Sequence, residues 1–104
     1  MTKTMRSTAV LPGAILLACT MSFAQSGEAL YKTKCQSCHG GTGTPNPGIA
    51  KLLGVKPVSD PDMKKLTVEQ VEATVKTGKG KMKPVAGLTD AQVKDVSAYF
   101  KTLK

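Results

Sequence analysis

Five consecutive residues, Cys35-Gln36-Ser37-Cys38-His39, constrain this 104-residue chain more than any other feature. Two thiols separated by two residues lie on the same side of a helical turn, so both can bond to neighbouring substituents of one rigid partner. The imidazole that follows is turned toward that partner's centre. This is the attachment pattern of c-type haem, in which the cysteines add across two vinyl groups and the histidine points at the iron. Other uses of the motif fit less well. A thioredoxin-like redox pair belongs beside a βαβ pattern, which the sequence lacks. A zinc site needs four ligands, and His39 is the only histidine. A disulfide between Cys35 and Cys38 closes too short a loop to contribute much stability.

The first residues read as an address. Lys3 and Arg6 precede an uncharged stretch from Ser7 to Ala24 that is strongly apolar from Ala9 to Cys19. Ser22-Phe23-Ala24 then offers small residues at the −3 and −1 positions of a cleavage site, so residues 1–24 are expected to be a secretory signal peptide and residues 25–104 a single domain. A membrane-spanning helix would need roughly 20 apolar residues, whereas this run is shorter and broken by Pro12-Gly13. A competing reading takes Leu16-Leu17-Ala18-Cys19 as a lipobox with Cys19 as a lipid anchor, although Leu17 is bulkier than that pattern prefers. Either way the expected location is periplasmic or otherwise exported, as covalent haem attachment in a bacterium-like setting requires.

Without the leader, 13 basic residues face seven acidic ones, for a net charge of +6 against +8 for the whole chain. The surface therefore suits acidic partners. An aromatic content of 4% argues against base stacking, and no nucleic-acid partner is expected.

The expected fold class is all-α. Ser26 to Lys34 reads as a helix with Ala29, Leu30 and Tyr31 on one face, and Gly27 stands on the same side as Tyr31. Thr67 to Thr77 reads as a second helix, with Thr67 and Gln70 forming a capping box, Val68, Val71 and Val75 at helical spacing, and Gly78 as the C-terminal cap. Thr89 to Leu103 reads as a third, capped by Thr89 and Gln92, with Val93, Val96, Tyr99, Phe100 and Leu103 as its buried stripe. Ile49 to Leu53 suggests one turn ending at Gly54, while Gly40 to Gly48 and Pro57 to Pro61 read as irregular. Three such helices without a tryptophan bury too little on their own, so a cofactor is expected to fill the middle.

With one histidine in the chain, the other face of the iron falls to Met82, Met63, a lysine or nothing. Met82 is the expected ligand because its loop, Gly78 to Pro84, carries the glycines and proline that let a thioether fold over the haem. Met63 sits among charges in Asp60 to Lys65.

These features resemble the class I cytochromes c, specifically the small monohaem type of the bacterial periplasm. The resemblance rests on Gly27 and Tyr31 ahead of Cys35, the Cys35-to-His39 motif, Met82 in a glycine-rich loop, and a final helix with Val96 and Tyr99. It implies three main helices plus short turns wrapped around one covalently bound haem c, thioether bonds at Cys35 and Cys38, and iron held by His39 and Met82. It also implies a crossing of the first and last helices near Gly27, Tyr31, Val96 and Tyr99. In that family a proline carbonyl orients the imidazole; here Pro45 and Pro47 come closer to the histidine than usual, and Pro47 is the expected partner.

With both axial positions filled, the chemistry implied is one-electron transfer between redox proteins, with no small-molecule substrate and no enzymatic turnover. Lys76, Lys79, Lys81 and Lys83 flank Met82 and are the expected docking ring for an acidic redox protein or a membrane redox complex. The carrier is expected to be a monomer. Rival readings are an electron-transfer subunit of a larger dehydrogenase or oxidase complex, and a haem catalyst or gas sensor, which would bind carbon monoxide when reduced.

Overall fold

The computed structural model describes residues 23–104. The signal peptide reading and the Cys19 anchor fall on residues outside that range, apart from the last two positions of the leader. Six helices follow in order: α1 Phe23–Lys34, α2 Gln36–His39, α3 Pro47–Leu53, α4 Pro61–Lys64, α5 Val68–Thr77 and α6 Asp90–Phe100. Among the described residues there is no strand, only an isolated bridge between Lys79 and Met82. The all-α expectation holds, with α1, α5 and α6 as the three long helices and α2, α3 and α4 as short turns.

Both expected capping boxes are present. Thr67 accepts from the Gln70 amide at 3.1 Å while the Gln70 side chain accepts from the Thr67 amide at 2.9 Å. Thr89 and Gln92 repeat the arrangement at 3.2 and 2.8 Å, so each long helix after the motif starts with its first amides satisfied. Gly78 ends α5 as expected, its amide donating to the Thr74 carbonyl.

The bounds differ from expectation at three places. α1 already includes Phe23, ahead of Ser26, as the helix propensities of Ala24 and Gln25 allow. α3 begins at Pro47, since Asn46 caps it by accepting from the Gly48 amide at 2.8 Å and proline is preset for the first helical position. α6 stops at Phe100, so Leu103 lies beyond the helix and is only half-buried; the buried stripe is instead Val93, Val96 and Ser97. Pro57 to Asp60 is irregular as expected, and Asp60 then caps the short α4 by accepting from the Asp62 amide at 2.8 Å, with Pro61 at the first helical position.

The core has two parts. Val71, Val75 and Val93 pack α5 on α6, with Leu66, Val85, Leu88 and Phe100 closing around them. At the other end α1 crosses α6 where Gly27 is buried, and a Cβ there would stand 2.8 Å from the Tyr99 Cβ. Tyr31, fully buried, packs on Tyr99 with ring centroids 5.5 Å apart and on Phe100 at 6.4 Å. The crossing of first and last helices thus falls where the resemblance placed it.

Candidate haem-binding cleft

The motif is carried by a helix that barely pauses. The Cys35 amide donates to the Tyr31 carbonyl at 2.9 Å, so α1 runs into the first cysteine. The amides of Cys38 and His39 then both donate to the Cys35 carbonyl, at 3.2 and 3.0 Å, which winds the motif into the single turn α2. Gly40 ends that turn with φ 80°, and its carbonyl accepts from the Tyr31 hydroxyl, tying the end of the motif back to the α1–α6 crossing.

Both cysteines are unpaired and half-buried. They border a cleft of about 830 Å³, in the upper part of the range of roughly 300–1,000 Å³ usual for cofactor sites. Its walls bring together Cys35, Cys38, His39 and Met82, with Leu53, Val55, Leu66, Val75, Val96 and Phe100 among its apolar lining. Met63 lines it as well, so the structure places both methionines of residues 25–104 at the cleft. Met63 also borders a second, smaller cleft of about 410 Å³ that runs along Val58, Lys64 and Leu103.

Burial pushes the His39 imidazole below its ordinary pKa, which favours the neutral form that binds a metal. Burial, then the neighbouring Cys38, pushes the Cys35 thiol up. The imidazole meets the Phe100 ring edge-on, with centroids 5.5 Å apart. Its Nδ1 is buried with no hydrogen-bond partner. The expectation that the Pro47 carbonyl orients it is therefore corrected, and Pro45 does not replace it. Pro47 is drawn instead into the start of α3, and the chain leaves His39 through Gly40, whose carbonyl is taken by Tyr31.

Met82 is set by a tight turn. The Lys79 amide donates to the Met82 carbonyl and the Met82 amide to the Lys79 carbonyl, both at 2.9 Å, and the Val85 amide then donates to the Val75 carbonyl at 2.9 Å. Three of the four expected docking lysines, Lys79, Lys81 and Lys83, line the cleft. Lys76 does not, and pairs with Asp90 at 3.1 Å. Sequence reasoning missed Lys56, which lines the same cleft and pairs with Asp62 at 2.8 Å, because its signal is one lysine in an irregular segment. It also missed the fully buried Ser97, whose hydroxyl has no partner.

An apolar cleft bordered by two free thiols, a half-buried imidazole with a buried, orphaned Nδ1, a methionine turn and a lysine-bearing lining fits a flat, largely apolar macrocycle carrying a metal. Among the described residues, no group of three or more His, Cys, Asp or Glu side chains is arranged to hold a metal without such a ring. Nor is any helix among them long and apolar enough to cross a membrane.

Comparison with known proteins agrees with that fit. Residues 22–100 match the family model described as cytochrome c oxidase, cbb3-type, subunit III. Among solved structures, the KustC0563 c-type cytochrome is 27% identical, with a TM-score of 0.66 over 75% of this chain and 96% of its own. A tyrosine-to-phenylalanine mutant of Kustc0563 is 26% identical, with a TM-score of 0.65 over 76% of this chain and 99% of its own. The curated proteins offer no significant match. The chain belongs to the cytochrome c family so described, as a small monohaem electron-transfer protein whose cofactor is covalently bound haem c with its iron.

Proposed function

We propose that the protein is an exported one-electron carrier, its haem bonded through Cys35 and Cys38 and its iron held between His39 and Met82. The observation that carries this reading is the meeting of both thiols, the imidazole and the Met82 turn on one apolar cleft. The haem supplies reversible one-electron chemistry, and a thioether ligand favours the ferrous state and raises the potential. The chain supplies the rest. The α2 turn presents the thiols and the imidazole together, the apolar walls exclude water, and the paired hydrogen bonds of the Lys79–Met82 turn hold the methionine backbone in place. Met82 is favoured over Met63 because its turn is closed by those bonds, while Met63 sits at the border of the second cleft.

Lys79 and Lys83 make no ion pair among the described residues, which supports docking of an acidic redox protein at the mouth of the cleft. The deciding measurement is the ferric absorption spectrum. A weak far-red sulfur-to-iron band, lost in Met82→Ala and kept in Met63→Ala, supports this ligand set; its survival in Met82→Ala overturns it.

A second reading, an electron-transfer subunit of a larger oxidase or dehydrogenase, is favoured by the oxidase-subunit description of the matching family. Co-purification with a catalytic subunit from native membranes would select it over a free carrier. Carbon monoxide binding to the reduced protein at neutral pH would instead point to a catalyst or sensor.

A further inference from the structure

We infer that Lys81 is a strap across the cleft that holds the Met82 turn in place and so sets how readily the thioether leaves the iron; the inference rests on the Met82 ligation proposed above. Two segments far apart in sequence meet here. The Lys81 Nζ donates to the Leu52 carbonyl oxygen at 2.9 Å, across 29 residues of chain. Leu52 lies in the last turn of α3, where carbonyls lose their helical partners because the chain leaves through Gly54 at φ 69°. An ammonium is a fitting partner for such an oxygen, being charged and able to donate three hydrogen bonds.

The strap acts on Met82 through a rigid connection. Lys81 immediately precedes Met82 inside the turn closed by the two 2.9 Å bonds between Lys79 and Met82. The stem of the turn is anchored where the Val85 amide meets the Val75 carbonyl. Its tip stands in open space, since a Cβ built on Gly80 would meet nothing within 4 Å. Among the described hydrogen bonds, the Lys81 contact alone joins this turn to α3. The three lysines of the turn are therefore not equivalent. The Lys79 and Lys83 ammonium groups have no hydrogen-bond or ion-pair partner among the described residues, whereas the Lys81 ammonium is engaged within the molecule.

The test uses the ferric holoprotein and follows displacement of Met82 by added imidazole through loss of the far-red band. Lys81→Ala is expected to react about 3- to 10-fold faster than the unaltered protein, the factor that the net worth of an exposed hydrogen bond to a charged group implies. Lys83→Ala removes the same charge without the strap and should stay within about twofold. Lys81→Arg, which can reach the same carbonyl, should restore most of the original rate. The same hydrogen bond is also lost on global unfolding, so the stability of Lys81→Ala to denaturant should fall below that of Lys83→Ala by about the amount its acceleration implies, whereas general loosening would cost more. Equal displacement rates in Lys81→Ala and Lys83→Ala overturn the strap, as does a loss of stability in Lys81→Ala that clearly exceeds the free energy of its acceleration. An unaltered protein without the far-red band overturns the Met82 ligation itself, and the strap's role with it.

Discussion

The backbone of Met82 lies so close to Gly78 that a Cβ on the glycine would stand 2.6 Å from the Met82 carbonyl oxygen. Gly78 also holds φ 75° and ψ 171°, a region that side chains other than glycine's rarely enter. The residue that ends α5 therefore also makes room for the methionine turn. Gly78→Ala combines backbone strain with a collision against backbone atoms and should destabilise the protein by about 3 kcal/mol. Gly80→Ala, with φ 56° and open space around it, should cost only about 1 kcal/mol. Thermal unfolding of the two variants checks the order, and equal losses would show that the Gly78 contact is relieved at no cost.

Gly27 serves the other end of the molecule. Replacing a helical glycine with alanine ordinarily gains about 1 kcal/mol. Here the added methyl would lie 2.8 Å from the Tyr99 Cβ and 3.0 Å from the Asp95 carbonyl carbon, so α1 and α6 must move apart. Overpacking of this kind costs about 1–3 kcal/mol, which outweighs or cancels the propensity gain. Gly27→Ala should therefore leave the protein no more stable than before, and Gly27→Val should lower its denaturant midpoint clearly. A rise in stability for Gly27→Ala would mean that the helices do not touch there.

Tyr31 joins that crossing to the haem motif through its hydroxyl, which donates to the Gly40 carbonyl. Burial, with smaller contributions from the free Cys35 thiol and Tyr99, pushes its phenol from the ordinary 10.0 up to about 12; once Cys35 is a thioether, burial and Tyr99 still act in the same direction. Between those values the unfolded chain has released the proton while the folded chain keeps it. The unfolded state then binds fewer protons, and stability falls as pH rises. The contribution is fully present below pH 10 and is lost as pH passes through the folded value. Tyr31→Phe should cost about 1 kcal/mol near neutral pH through the lost hydrogen bond. It should also remove this alkaline decline, so that the gap between the two proteins narrows above pH 10. Parallel stability curves across that range would show that the phenol titrates normally.

Much of this arrangement was legible because local chemistry and tertiary packing agree. The capping boxes of Thr67 and Thr89 and the glycine stop at Gly78 are local devices, and they mark where α5 and α6 begin and where α5 ends. The cysteine motif is local too, since its spacing alone places two thiols and an imidazole on one turn. What sequence could not convey depends on distant partners. The carbonyl of Leu52 becomes an anchor only because Lys81 folds across to it. Ser97 is a polar residue on a helix stripe, and its complete burial comes from tertiary packing that no local signal marks. The role expected of Pro47 failed for a local reason instead: Asn46 caps α3, and that cap commits the proline to starting a helix.

The charge pattern around the cleft divides lysines that look alike in sequence. Lys76 is paired with Asp90, and Lys81 keeps its charge but is tethered to the Leu52 carbonyl, which leaves Lys79 and Lys83 as the two of the original four with neither an ion pair nor a side-chain hydrogen bond among the described residues. Electron transfer to an anionic oxidant should therefore depend most on those two. Oxidation of the reduced protein by ferricyanide is expected to slow as ionic strength rises, because opposite charges draw the pair together and salt screens them. Lys79→Gln and Lys83→Gln should each lower the rate at low salt by roughly two- to fivefold, the size of an exposed charge–charge contact. Lys76→Gln should change it less, since Asp90 already offsets that charge. The three variants should converge at high salt, where the charges are screened and the potential of the haem still sets the rate. Stopped-flow traces across a salt series decide the matter: equal effects from all three lysines would mean that overall net charge steers the oxidant, with no focused patch at the mouth of the cleft.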